Sequence, residues 1–283
     1  MLRRPSAGFF GSTWKKNDIM ELELRGKTVL VTGGSKGIGY ACAAGFAAEG
    51  CNVHLAARTA GALEEARDRL VRQYGVAVHC HPCDLSVTAN AVALARACGP
   101  LDILVNNAGA IPPGGIAQVD DDTWRRAWDL KVFGFINLTR EVYAGMRARR
   151  AGAIVNVIGI AAEVNRAAYI VGSSGNAALV AFTRALGAES VDHGVRVTGV
   201  SPGRIQTDRQ LRSVRETAEK KFGDAGRWPE VLAELSVNFP FKRFGKPEEV
   251  ADLVVDLASA RASYISSTVV TIDGGQTYRP GNY

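Results

Sequence analysis

Residues 28–39 read Thr-Val-Leu-Val-Thr-Gly-Gly-Ser-Lys-Gly-Ile-Gly. Val29, Leu30 and Val31 make a short apolar, largely β-branched run of the kind that fills a buried strand. A glycine-rich turn follows, and from Tyr40 to Glu49 the pattern becomes helical. Gly33, Gly37 and Gly39 leave no Cβ where a pyrophosphate would approach the backbone. The helix start beyond them offers free N–H groups and the positive end of a dipole to an anion. A glycine loop acquires this meaning from its place between a strand and a helix, and both flanks are present here.

The same alternation continues along the chain. Apolar strand segments are predicted at 26–31, 53–57, 76–79, 101–105, 153–157, 195–200 and 268–272. Helical spacing is predicted at 38–49, 63–74, 89–98, 122–150 (one long, bent stretch), 173–190 and 248–257. The strands are mostly continuous runs of Val, Ile, Leu and Ala, which suits a parallel sheet covered on both faces. The expected fold is α/β: one doubly wound domain over 24–283, with ligands at the carboxyl ends of the strands. A flexible extension is expected over 1–23 and a substrate-covering lid over 207–240.

The formal net charge is +6, from 34 Lys and Arg against 28 Asp and Glu. Part of that excess sits in the first 27 residues, so a nucleic-acid partner is not expected. No apolar run is long enough to span a bilayer. No apolar segment follows Arg3 and Arg4, which argues against a secretory signal. Five cysteines, an odd number scattered through core segments, point to a reducing compartment and a cytoplasmic protein. Cys80-His81-Pro82-Cys83, with His79 beside it, has the spacing of a redox or metal motif. A second ligand pair is not evident elsewhere, so these thiols read as buried and inert and no metal is expected.

Where cofactor selectivity is set, after the second strand, Ala57 and Arg58 replace the acid that would hold two ribose hydroxyls. Lys36 inside the glycine loop is a second cation on the same side. Together they suit the 2′-phosphate of NADP(H) over NAD(H); the plainer alternative is two solvated surface cations. Asp84 after the third strand suits an adenine amino group or a helix N-cap. Asn107-Ala108-Gly109 after the fourth forms a small-residue strip for a flat cofactor or a plain turn.

Thr32-Gly33-x3-Gly37-x-Gly39, Asp84, Asn106-Asn107-Ala108-Gly109, Pro202-Gly203-x-Ile205-x-Thr207 and Asp273-Gly274-Gly275 stand in the order and spacing of the short-chain dehydrogenase/reductase family, which the chain resembles over about 24–275. The resemblance implies a Rossmann-fold NAD(P)(H) enzyme acting on a small-molecule substrate, in a homo-oligomer (dimer or tetramer). It implies cofactor contacts from Gly33, Ser35, Lys36, Gly37, Ile38, Gly39, Arg58, Asp84, Leu85, Asn107, Ala108, Gly109, Pro202 and Gly203. Ile205 and Thr207 would meet the nicotinamide carboxamide.

The family's catalytic Asn–Ser–Tyr–Lys set does not carry over. An ungapped match through Ile154–Gly159 and Asn176–Arg184 puts Lys131 at the Asn place, Gly159 at Ser, Gly172 at Tyr and Asn176 at Lys. A gapped match would put Tyr169 at the Tyr place and still lack the lysine. Asn and Lys look exchanged, and Lys36 and Lys131 are the only lysines between 28 and 219. Lys131 and Tyr169 are therefore the tentative catalytic pair, a cation beside a displaced phenol. The alternative makes Tyr169 a wall aromatic and Lys131 a structural cation paired with Asp129 or Glu163. Gly159 and Gly172 are expected to leave room beside the nicotinamide, and the helix start at 172–175 to offer N–H groups to an anion.

The function these readings suggest is an NADP-dependent oxidoreductase. It would move hydride between nicotinamide and a carbonyl or alcohol, with an atypical proton-transfer site. The alternative is a catalytically silent NADP-binding member with a regulatory or scaffold role. Dehydration or isomerisation in the same cleft is a third reading.

Overall fold

A computed structural model describes residues 21–279. Most of the expected N-terminal extension lies outside the described residues. Glu21 and Leu22 are tied down: their carbonyls accept from Arg261 Nε at 2.6 Å and from Ala260 N at 3.3 Å, and Leu22 packs on the core.

Seven strands are described: β1 (Thr28–Thr32), β2 (Asn52–Ala57), β3 (Val78–Pro82), β4 (Ile103–Asn106), β5 (Gly152–Val157), β6 (Val195–Pro202) and β7 (Val269–Ile272). All pair in parallel, in the order β3-β2-β1-β4-β5-β6-β7. The helices are α1 (Gly37–Ala48), α2 (Ala60–Tyr74), α3 (Thr88–Cys98), α4 (Asp121–Trp128), α5 (Gly134–Arg149), α6 (Ile170–Ser190), α7 (Asp208–Phe222), α8 (Trp228–Ser236) and α9 (Pro247–Ala258). No helix among the described residues is long and apolar enough to cross a membrane.

Side chains alternate across each strand, which gives the sheet two apolar faces. Val29 and Val31 join Phe46, Leu63, Leu70 and Val254 under α1, α2 and α9. Leu30, between them, faces the other way into Leu94, Leu138 and Met146 of α3 and α5. This two-sided burial is why most of the strands read as largely apolar runs. Strand order reverses between β1 and β4, and ligands of such sheets enter at the carboxyl ends beside the reversal.

Two elements depart from the expectations. The third strand runs to Pro82, past the expected end at His79. The long helical stretch is divided by a π-helical turn, Asp129–Phe133, between α4 and α5, and Lys131 sits within it. One-turn π segments widen a helix locally and occur often at functional sites. Within 207–240, α7 and α8 form a pair with a small core of Val214, Ala218 and Val231, which Phe244 joins from just beyond the segment. The segment is thus a packed lobe beside the sheet's carboxyl edge.

Candidate functional site

The glycine turn is fastened to the end of β4. Thr32 Oγ1 accepts from Asn107 N at 2.8 Å and Ala108 N at 3.0 Å, and Asn107 Nδ2 donates to Thr32 O at 3.0 Å. A Cβ on Gly39 would run into the Gly33 carbonyl and stand 2.5 Å from Asn107 Nδ2, so only glycine lets α1 start this close to β1. Asn107 is a structural clasp as well as part of the small-residue strip. Lys36 is the N-cap of α1 in extended conformation, and no side chain among the described residues bonds the first N–H groups of the helix. Lys36 and Arg58 are both exposed; Ser35, Gly37 and Ile38 are half-buried beside them.

Asp84 accepts from Ser86 N at 3.0 Å and Ser86 Oγ at 2.8 Å, all through Oδ1. The Ser86 hydrogen bonds, with some help from nearby Arg58, hold its carboxyl below the usual carboxylate range. The N-cap of α3 is Val87, so Asp84 is not the helix cap that was the alternative reading. The Leu85 side chain lies in the core, which leaves only its backbone to a ligand.

At the end of β6, Gly203 N donates to Ile272 O at 3.0 Å, and Ile205 bridges to Gly245. Thr207 caps α7. A Cβ on Gly37 would lie 3.4 Å from Thr207 Cγ2, so the glycine turn and the start of α7 stand side by side.

Lys131 is buried at 6% exposure. Its Nζ donates to Val157 O at the end of β5 at 2.7 Å and lies 4.4 Å from the Phe135 ring centroid. A Cβ on Gly109 would stand 2.6 Å from Lys131 Cδ, so Gly109 rests directly on the lysine stem. From the lobe, Arg209 Nη2 donates to Gly109 O at 2.9 Å. Burial, followed by the nearby Arg209 cation, pushes the Lys131 amine down to about 7. Among the described residues Lys131 has no carboxylate partner. Glu163, one of the two acids considered for it, instead accepts from Thr271 Oγ1 at 2.6 Å. The structural-cation alternative thus loses its ion pair.

Tyr169 stands just before α6. Its ring lies on Gly172, where a Cβ would collide with Cε1 and Cζ and come within 2.6 Å of Cδ1. Burial raises the phenol pKa, with Arg209 opposing the rise. Lys131 and Tyr169 thus share Arg209 as a charged neighbour, while the Nζ hydrogen bond goes to Val157 and not to the phenol. Asn176 Nδ2 donates to Gly159 O at 3.3 Å, and its buried Oδ1 has no partner among the described residues.

Two expectations are corrected here. The room left by Gly172 and Gly159 is not open, because the Tyr169 ring covers the first and a Cβ on the second would meet Asn176 Nδ2 at 3.0 Å. Residues 172–175 are not a helix start, because α6 begins at Ile170. Ser173 N already donates to Tyr169 O at 2.9 Å. Gly175 is packed against α4, a Cβ there lying 3.2 Å from Trp128 Nε1. Arg209, within the 207–240 segment, reaches a carbonyl 100 residues earlier; no local signal in the sequence marks that contact.

An open parallel sheet wound on both faces, with a glycine turn beside its reversal and polar groups gathered at its carboxyl ends, defines a Rossmann-type nucleotide-binding protein. The chain belongs to the short chain dehydrogenase family, whose pattern it matches over residues 27–218. It is 32% identical over 260 residues to 2,3-dihydro-2,3-dihydroxybenzoate dehydrogenase of Bacillus subtilis (strain 168), covering 90% of this chain and 97% of that protein. It is 34% identical over 258 residues to galactitol 2-dehydrogenase (L-tagatose-forming) of Cereibacter sphaeroides, covering 90% and 96%. The fold superposes with a TM-score of 0.87 on L-sorbose reductase from Gluconobacter frateurii, solved with NADPH and L-sorbose. That pair is 33% identical, covering 92% of this chain and all of the other (100%).

Proposed function

We propose that this chain is an NADP(H)-dependent oxidoreductase that interconverts a carbonyl and an alcohol on a small substrate. In this reading Tyr169 exchanges a proton with the substrate oxygen. The cofactor, when bound, supplies or accepts the hydride at its nicotinamide ring. The observation that carries the proposal is the position of Tyr169. Its ring covers Gly172, the position aligned with the family tyrosine, so a phenol is supplied there from three residues earlier.

Two features support a dinucleotide fit. The first N–H groups of α1 are claimed by no side chain, as a pyrophosphate cradle requires. The buried Asn176 Oδ1 lacks a donor, which a ribose hydroxyl would provide. Lys36 and Arg58 stand exposed at the turn and at the end of β2, where they suit a 2′-phosphate over a free ribose hydroxyl. The solved L-sorbose reductase carries NADPH, which favours the same choice.

The residues divide the work. A buried phenol remains protonated near neutral pH and serves as the acid when a carbonyl is reduced. Lys131 holds the end of β5 through Val157 O, and burial pushes its amine down to about 7. Arg209 ties the lobe to Gly109 and sets the charge that both groups experience. The usual Asn–Ser–Tyr–Lys set would be replaced by this arrangement. A homo-oligomer goes with the reading, as an expectation from the family.

The test is NADPH oxidation across a panel of sugar, steroid and β-keto carbonyls, run beside binding measured by NADPH fluorescence. Turnover that drops in Tyr169→Phe with binding intact supports the proposal. Binding without turnover of any carbonyl, with no reverse reaction on the matching alcohols, would replace it with the silent, regulatory reading.

A further inference from the structure

We propose that His54, His81 and Cys98 form a zinc site at the β3 edge of the sheet, apart from the cleft where the cofactor and substrate are placed. In the sequence the eye is drawn to Cys80-His81-Pro82-Cys83, and the fold divides that motif. Strand alternation sends Cys80 to the opposite face, where its Sγ donates to Leu63 O at 3.3 Å. His81 points the other way and meets partners from two distant elements.

The register of β2 and β3 pairs His54 with His79, so His81 lies two residues further along the same face as His54. His54 Nδ1 and His81 Nε2 are 2.9 Å apart. Cys98, the last residue of α3, closes over that face with its Sγ 3.7 Å from His81 Nε2. The three atoms all lie within 4.8 Å of one another. A tetrahedral zinc ion with N and S ligands at about 2.05 and 2.3 Å separates two nitrogens by about 3.3 Å and a nitrogen from a sulfur by about 3.6 Å. The His54–His81 and His81–Cys98 separations are within a few tenths of an ångström of those values, and Cys98 would move about 1 Å toward His54 to complete the set.

Position and chemistry support the same reading. His54 is buried at 9% exposure in a strand whose neighbours Val53, Leu55 and Ala56 are fully buried apolar residues. An imidazole placed there costs stability unless it has a partner. β3 is an edge strand, and His79, exposed with its ring centroid 4.8 Å from that of His54, leaves the site open to solvent on one side. An ion can enter there, and a water can take the fourth position. Two imidazoles and a thiolate are a ligand set that favours zinc over magnesium or calcium.

Binding has a defined proton balance. Without metal, one N–H lies between the two ring nitrogens. On binding, that proton moves to the far nitrogen of its own ring, and Cys98 releases its thiol proton to solvent. Two lone pairs and one thiolate then face the ion, with one proton released per zinc and no change of oxidation state.

The experiment uses the full chain, stripped with a chelator and titrated with Co²⁺ and then Zn²⁺. The expected result is one equivalent of Co²⁺ with thiolate-to-cobalt absorption and tetrahedral ligand-field bands, displaced by one equivalent of Zn²⁺. Cys98→Ser and His81→Gln should each weaken Zn²⁺ binding by at least about tenfold, as losing a ligand costs no less than losing an outer partner. Cys98→Ser should abolish the thiolate band, and Cys80→Ser should change nothing. A wild-type titration without a thiolate band or a one-to-one end point overturns the proposal. So does a Cys98→Ser protein that binds cobalt as the wild type does. The wild-type titration decides the matter even if a variant fails to fold.

Discussion

The Tyr169 ring lies against Gly172 so closely that a methyl group at position 172 would strike Cε1 and Cζ. A phenol three residues ahead thus fills the space where a side chain at 172 would begin. Removing the hydroxyl alone isolates its chemistry. Tyr169→Phe should lower kcat by about 10²- to 10⁴-fold, the usual worth of a positioned acid, and leave NADPH binding within about twofold. Gly172→Ala should also lose activity, by expelling the ring, and its melting temperature should fall as well. Wild-type turnover by Tyr169→Phe would remove the phenol from the mechanism.

Lys131 offers a stability signature that activity cannot mimic. Its pKa falls from 10.5 to about 7 on folding. Between those values the unfolded chain binds more protons, so stability should rise as pH climbs from about 7 to 10.5. Below about 7 both states are charged and the full cost of the buried ammonium is felt. Lys131→Met removes that cost. It should stabilise the protein at neutral pH by on the order of a few kcal/mol while lowering kcat. Chemical denaturation of both proteins from pH 6 to 10 measures the difference. Parallel stability curves would show that the amine is not held as described.

Arg209 depresses the Lys131 pKa by like-charge repulsion and holds Gly109 O at 2.9 Å. Arg209→Met should therefore shift upward the pKa in the pH–rate profile that belongs to Lys131. That limb should disappear in Lys131→Met. Arg209→Lys keeps a cation and should leave the pKa closer to wild type, although one donor cannot reproduce the guanidinium fork. A profile unmoved by Arg209→Met would separate the arginine from the proton chemistry.

The sheet was legible because burial on both faces writes most strands around apolar runs, as at Val29–Val31 and Ala153–Val155. β3 was harder to bound: it ends in His-Cys-His-Pro, and its imidazoles are explained only by partners on β2 and α3. The glycine turn was legible because its requirements are local, a backbone without Cβ at fixed offsets. The Asn107 clasp on Thr32 was not, since it joins groups 75 residues apart. The π turn at Lys131 left no periodic mark in the sequence, a five-residue departure being too short to change the pattern of a long helical stretch. The ungapped match is expected to set Gly172, a residue without a side chain, at the family's tyrosine place. Only the path of the chain before α6 supplies the ring that covers it.

Lys36 and Arg58 give the final prediction, on cofactor choice. Both are exposed, at the α1 N-cap and just after β2, and neither has a carboxylate partner among the described residues. Asp84 is the nearby carboxylate that feels Arg58, and among the described residues neither cation is held in an ion pair that a 2′-phosphate would have to break. Each charge-assisted contact with that group contributes about 1.5–3 kcal/mol, which is roughly 10- to 150-fold in affinity. Arg58→Ala should weaken NADPH binding within that range and change NADH binding by less than about threefold, since NADH lacks the phosphate. Lys36→Ala should act in the same direction, and Arg58→Asp should bring the two affinities together or reverse them by repelling the phosphate. Fluorescence titration with both nucleotides measures the ratio directly, and equal losses for NADPH and NADH would mean that these cations do not read the 2′ position.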